Sequence, residues 1–240
     1  MGEKVSLEKV KSLNELLEAT TSLDRLFSFL IEQQLGQIVF STSLGQEDQV
    51  LTHHIETYKL PISVFTLDTG RLFQETYDVL ASTQQKFNLP IEVYTPNHKA
   101  VAELVTTKGP NSFYKSVENR KECCAVRKIE PLKRALNGKD VWVTGLRQAQ
   151  SQNRSGLAFF EYDQAFNIIK FNPLLHWSLE DVTNYLNRNN VPQNTLHKKG
   201  FVSIGCAPCT RAITPGEDIR AGRWWWETSK KECGLHITKS

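Results

Sequence analysis

Apolar positions recur at helical spacing near the start of the chain and then give way to short continuous runs. Residues 6–18 and 21–32 carry aliphatics three and four apart behind Ser or Thr cap candidates, which predicts two helices packed on a core. The run at 37–43 (QIVFSTS) reads as a buried strand. After it come a polar loop, Ser41 to Gln46, and a helix that puts Val50, Leu51, His54, Ile55 and Tyr58 on one face. Strand, polar loop and helix begin a βαβ unit.

The alternation continues with strands at 62–68, 91–95 and 140–145 and helices at 72–87 and 98–107. Residues 120–136 look helical up to Pro131 and again after it. The segments 156–163 and 166–174 suggest a hairpin, and 178–190 a capped helix. From about Asn194 onward periodicity fades and Gly, Pro, Cys, Arg and Trp dominate. Near-continuous apolar strands alternating with helices predict an α/β fold, a parallel twisted sheet flanked by helices on both faces. With no linker or repeat in view, one domain spans 1–240: N-terminal helices at 1–35, a core at 36–211 and a tail at 212–240.

Composition narrows the class without naming it. The chain has 240 residues, 40% hydrophobic and 23% charged, with 13 Gly and 9 Pro, an ordinary globular profile that excludes collagen-like and low-complexity chains. A net charge of +3 does not call for nucleic acid, yet suits a small anionic substrate if concentrated in one cleft. The apolar stretch from Leu26 to Ile31 is interrupted by Ser28 and is far shorter than a membrane span, and no export signal is evident at the start. The expectation is a cytoplasmic protein with no nucleic acid or membrane partner.

The chemistry gathers in three places. At 41–48 (STSLGQED) a strand meets a helix, where free backbone N–H groups and the helix dipole attract anions. The segment lacks both the Walker pattern and the dinucleotide fingerprint. Five cysteines form an adjacent pair (Cys123, Cys124), a Cys-x-x-Cys (Cys206, Cys209) and a fifth thiol, Cys233. Four clustered thiols suit a 4Fe-4S cluster, one per chain; a four-cysteine zinc site or unligated thiols are the alternatives, and two adjacent residues make an awkward zinc chelate. Cys233 sits among lysines and His236, which favour the thiolate. Before it stands Arg220-Ala-Gly-Arg223-Trp-Trp-Trp226, whose three tryptophans cannot share one face, so at least one covers a ligand or docks the tail.

Seven motifs in this order resemble the assimilatory adenylyl-sulfate (APS) and phosphoadenylyl-sulfate (PAPS) reductases: 41–48, LDTGRL at 67–72, CCAVRK at 123–128, GLR at 145–147, GCAPCTR at 205–211, GRWWWE at 222–227 and ECGLH at 232–236. The resemblance implies an adenine-nucleotide hydrolase-like fold, a 4Fe-4S cluster on Cys123, Cys124, Cys206 and Cys209, and a mobile tail bearing the nucleophile Cys233. It implies reduction of APS to sulfite and AMP in sulfate assimilation, through a Cys S-sulfonate that thioredoxin or glutaredoxin resolves. Lys128, Arg220, Arg223 and His236 are expected to face the sulfate and Arg147 the phosphate. Ser41 and Ser43 are expected to hydrogen-bond the phosphosulfate, while Asp48 and the segment from Leu67 to Arg71 frame the nucleotide.

Rival readings are a PAPS or dual-substrate enzyme of the same mechanism, an ATP-using enzyme of the same fold such as an ATP sulfurylase subunit or an iron-sulfur tRNA thiolase, and a non-catalytic redox sensor. The ATP-using reading needs a Ser-Gly-Gly-x-Asp-Ser type loop, a pattern broken at Leu44 and Gln46. A homo-oligomer stays open.

Overall fold

Short runs rich in β-branched and aromatic residues pair into one six-stranded sheet in a computed structural model of the chain, which describes residues 7–17, 22–150 and 154–227. The strands are β1 (Ile38–Thr42), β2 (Ser63–Leu67), β3 (Ile91–Tyr94), β4 (Val141–Val143), β5 (Phe160–Asp163) and β6 (Ile168–Phe171), in spatial order β3-β2-β1-β4-β6-β5. Neighbours are parallel except β5 and β6, the expected hairpin, which pair antiparallel with Phe160 opposite Phe171.

The helices are α1 (Leu7–Leu16), α2 (Leu23–Glu32), α3 (Gln46–Thr57), α4 (Gln74–Phe87), α5 (His98–Lys108), α6 (Val117–Cys124), α7 (Glu130–Leu136) and α8 (Leu179–Arg188). Successive strand residues point to opposite faces, so β1 serves two cores. Phe40 packs with Leu30, Val50, Leu51 and Val182 from α2, α3 and α8. Val39 packs with Phe65, Trp142 and the α7 residues Leu132, Ala135 and Leu136 on the other side.

Local rules explain the ends of these elements. Ser178 and Asp181 close a capping box on α8, and Asn97 caps α5 through the backbone of Lys99 and Ala100. The break expected at Pro131 falls earlier. α6 stops at Cys124, a wider π turn covers Ala125–Ile129, and Pro131 lies in the first turn of α7, where its missing N–H leaves no ladder bond broken. Helix α1 does more than pack, because Asn14 both donates to and accepts from the backbone of Phe160 and so occupies hydrogen-bonding groups of the edge strand β5.

The first part of the tail, from residue 212 to Glu227, is packed on the core. The amide of Arg211 donates to Gly222, Thr210 bridges Arg223, and Trp224 is only 1% exposed. Burial of an indole and of charged partners outweighs the low periodicity that suggested a loose segment. The remainder of the tail, with Cys233 and His236, lies outside the described residues. Among the described residues no helix is long and apolar enough to cross a membrane.

One charge lies deep in the sheet. Lys170 on β6 is 2% exposed, pairs with Asp163 at 2.5 Å and stands 5.1 Å from the Trp142 ring. Asp163→Asn should therefore destabilise the fold by about 3 to 5 kcal/mol, since it strands a buried ammonium, and urea unfolding will read the loss.

Candidate active site

The chain adds β2 and β3 on one side of β1 and then returns to place β4 on the other side. Between β1 and β4 the connections diverge, and in sheets of this kind the crevice beyond the carboxyl ends of such strands receives ligands. Two loops meet there. Leu44 adopts a left-handed φ of 62°, and its amide donates to Thr42 Oγ1. Gly45 is the cap residue of α3 and supplies no side chain, so no side-chain group claims the N–H groups that open the helix. Across the crevice, Gly145 follows β4; a Cβ there would come within 2.2 Å of Asp48 Oδ1, so the close approach requires glycine.

The acidic and basic groups of this crevice are engaged with one another. Asp48 Oδ2 accepts from both the amide and the hydroxyl of Ser43 at 2.6 Å. Burial pushes the Asp48 carboxyl up to about 6, partly opposed by those two hydrogen bonds. Arg147 donates from Nε and Nη2 to Glu47 Oε1 at 2.9 and 2.7 Å and from Nη1 to the Trp177 carbonyl. Ser41 accepts from Trp142 Nε1 at 2.7 Å, which leaves its own hydroxyl proton to donate.

A second concavity opens beside the first. Cys123 and Cys124 at the end of α6 and Cys206 and Cys209 on the later loop line one cavity. Arg71, Arg120, Arg127, Lys128 and Arg223 line it as well, and among the described residues no Asp or Glu does. Arg127 Nε and Arg223 Nε are buried without a hydrogen-bond partner. Burial raises the Cys206 thiol, but Lys128, the Thr69 hydroxyl at 3.2 Å, Arg223 and Arg127 outweigh it and bring it below the ordinary thiol range. Burial, followed by the negative charge of Cys206, pushes Cys209 up to about 12, and burial also raises Cys123.

The donor set and the surplus of cations fit an anionic metal-thiolate group. Among the described residues no three His, Cys, Asp or Glu side chains gather closely enough to hold one ion. Thiols spread around a cavity suit a polynuclear cluster better than a mononuclear zinc site.

The loop after β2, the strand next to β1, reaches into the thiol cavity. Thr69 touches Cys206 and accepts from Arg127 Nη1 through its carbonyl, while the Arg71 carbonyl accepts from the Ala207 amide.

Several expected residues thus stand where the sequence reading put them, and others do not. The four cysteines converge on one cavity, with Lys128 and Arg223 in its wall. Arg71 belongs to that wall too, stacked 5.2 Å over Phe113. Asp48 is buried against Ser43, whose proton it takes, so neither side chain presents a free donor to an anion. Arg147, 6% exposed, donates from Nε, Nη1 and Nη2 to protein groups and braces Glu47 at the crevice. Arg220 is half-buried on the turn before Arg223.

Sequence reasoning missed Thr69, Arg120, Arg127, Glu47 and Glu227. All five lie inside or beside the quoted motifs, which marked their positions but not their partners.

Asp48 provides a pH test. Its carboxyl stays protonated in the fold to about pH 6 but ionises near 3.8 when unfolded, so the folded state binds more protons in between and loses stability as pH rises through that window. Asp48→Asn lacks this dependence. The stability of the variant relative to wild type should improve by about 3 kcal/mol between pH 3.5 and pH 7, read from urea midpoints.

Comparison with known proteins agrees with this geometry. Residues 37–212 match the phosphoadenosine phosphosulfate reductase domain. An adenosine 5'-phosphosulfate reductase of Agrobacterium fabrum is 51% identical over 84% of this chain and 78% of its own length. One from Sinorhizobium fredii is 47% identical over 98% and 94%. A phosphoadenylyl-sulfate reductase from Candida auris, solved as a phosphate complex, superposes with a TM-score of 0.74 at 25% identity, covering 87% of this chain and 98% of that one. A sheet in this order, a crevice at its switch point and a match across most of the chain lead to one conclusion: the chain belongs to the phosphoadenosine phosphosulfate reductase family.

Proposed function

We propose that this chain reduces adenosine 5'-phosphosulfate to sulfite and AMP in sulfate assimilation, with the whole of 1–240 acting as one domain. The observation that carries the reading is the junction of two concavities. A crevice opening on the α3 N-terminus suits an anionic nucleotide, and the loop after the neighbouring strand β2 carries Thr69 and Arg71 to a cation-lined cavity with four thiols. The relatives of Agrobacterium fabrum and Sinorhizobium fredii that carry the APS reductase name support the choice of substrate.

The nucleophile in this reading is the Cys233 thiolate. It attacks the sulfate sulfur, the bond from that sulfur to the bridging oxygen breaks, and AMP leaves with the electron pair. Cys233 then carries an S-sulfonate. One thiolate of a thioredoxin or glutaredoxin attacks Cys233 Sγ and sulfite departs. The second thiol of the reductant resolves the mixed disulfide and restores Cys233. Two electrons pass from the dithiol to the sulfur, and the count closes.

The phosphosulfate and the thiolate are both anions, so their approach needs positive charge. Lys128, Arg220, Arg223 and His236 take that role, and the free hydroxyl proton of Ser41 donates to the bound anion. Cys123, Cys124, Cys206 and Cys209 would hold a 4Fe-4S cluster, one per chain. Bound there, the group supplies a fixed negative centre that orders the surrounding cations, Lys128 among them. The reading places the protein in the cytoplasm.

Purified anaerobically, the protein should contain about four iron and four sulfide per chain, and Cys206→Ser should lower both; one zinc without sulfide would overturn the cluster. With thioredoxin, sulfite should form with a higher kcat/KM from APS than from PAPS. Without reductant, the wild type should release at most one AMP per chain and gain a sulfonate on Cys233, while Cys233→Ser keeps its iron and forms no sulfite. An adduct on another cysteine would move the nucleophile, and equal or reversed selectivity would move the substrate to PAPS.

A further inference from the structure

Arg120 and Glu227 form the most deeply buried arginine–carboxylate pair of the described residues, with side chains 6% and 4% exposed. Arg120 Nε donates to Glu227 Oε1 at 2.8 Å and Nη2 to Oε2 at 3.0 Å, a two-pronged geometry that fixes direction as well as distance. Arg120 lies three and four residues before Cys123 and Cys124, on the same face of α6.

The segment that ends in Glu227 is held at a second point as well. The Trp224 amide donates to the Cys209 carbonyl, and Arg223 lies so close to Gly205 that a Cβ there would meet its guanidinium at 2.3 Å. Trp224 is flanked by the Arg120 and Arg223 guanidinium groups at 4.7 and 4.8 Å. Its φ of 41° is a conformation bulky residues avoid, so the surroundings impose it. Residues 222–227 are therefore tied at one end to the loop bearing Cys206 and Cys209 and at the other to the helix bearing Cys123 and Cys124.

We propose that Arg120 and Glu227 are positioning residues that fasten the root of the C-terminal tail to α6, so that Cys233 starts its reach from a fixed point. Cys233 is six positions beyond Glu227, a span of at most about 20 Å when extended. A thiol tethered that closely has a high effective concentration at the substrate, and letting the anchor slip lengthens the tether and lowers it. The inference rests on the reading of Cys233 as nucleophile. Its predicted signature is a slower sulfur-transfer step with nucleotide binding unchanged.

Two variants test it. Glu227→Gln keeps the shape and removes the charge; Glu227→Ala removes the two-pronged anchor as well and leaves Arg120 in the cavity wall. In both, iron and sulfide content and AMP affinity should stay within about twofold of wild type, while single-turnover AMP release from APS without reductant slows about tenfold or more. Trypsin should cut after Arg223, now 7% exposed, about tenfold faster as the root loosens.

A wild-type transfer rate in Glu227→Ala overturns the proposal, as does unchanged cleavage after Arg223. Loss of iron in both variants also overturns it, because the pair would then serve the thiol cavity instead of the tail. If the wild type forms no adduct on Cys233, the reading of the reaction fails, and faster cleavage after Arg223 in the variants still reports whether the pair fastens the root.

Discussion

Anionic sulfur and cationic side chains can share a buried cavity only when each offsets the charge of the other, and much of this molecule is arranged around that requirement. The pull of burial is visible at Cys209, whose thiol rises to about 12, first through burial and then through the charge of Cys206. Opposing cations must come from close by, and no one segment supplies them all. Arg120 comes from α6, Arg127 and Lys128 from the π turn, Arg71 from the loop after β2, and Arg223 from the tail root. The cavity therefore holds together four stretches of chain, and an Asp or Glu in its wall would work against the cations that bring the Cys206 thiol down. Glu227 does not line the cavity, and its charge is paired with Arg120.

That gathering of segments also explains why the cavity adjoins the crevice. The loop after β2 has to reach Cys206 through Thr69 and Ala207 through the Arg71 carbonyl, and β2 is the immediate neighbour of β1. A ligand at the β1–β4 switch point thus lies at the same edge of the sheet as the thiols. The π turn serves the same geometry. An extra residue in the helical repeat rotates the turns after it, so Arg127 can bond the Thr69 carbonyl while Leu132 and Leu136 still face the sheet.

The strands were legible because continuous β-branched and aromatic runs between helices with good caps permit few other arrangements; 62–68 and 178–190 fall within a residue or two of β2 and α8. The cysteine cavity was legible for a different reason, since paired spacing of a rare residue is a chemical signal that needs no periodicity. What stayed hidden were partnerships across the fold. Glu47 and Arg147 are 100 positions apart, and Arg120 and Glu227 are 107 apart. Nothing in local pattern tells which carboxylate of its own chain an arginine meets, so the Glu47 partner of Arg147 stayed out of view. A docking tryptophan was among the readings of the Trp224–Trp226 run, but the ion pair that holds the tail root beside it was not, because its partner lies far off in sequence.

The crevice poses a last question, which its ion pairs answer. A helix opening on two acids, Glu47 and Asp48, is well matched to its own dipole and poorly matched to a phosphate or sulfate ligand, because those charges would repel the anion. Arg147 pairs with Glu47 from the side, and Ser43 draws Asp48 back into the interior, where burial raises its proton affinity. Both acids then support α3 and its loop while their charges are compensated or withdrawn. Gly145 permits this withdrawal, since any side chain at that position would occupy the space of the Asp48 carboxyl. The open N–H groups of α3 and the hydroxyl proton of Ser41 remain as donors, and an anion arriving at the crevice meets donors in place of bare carboxylates.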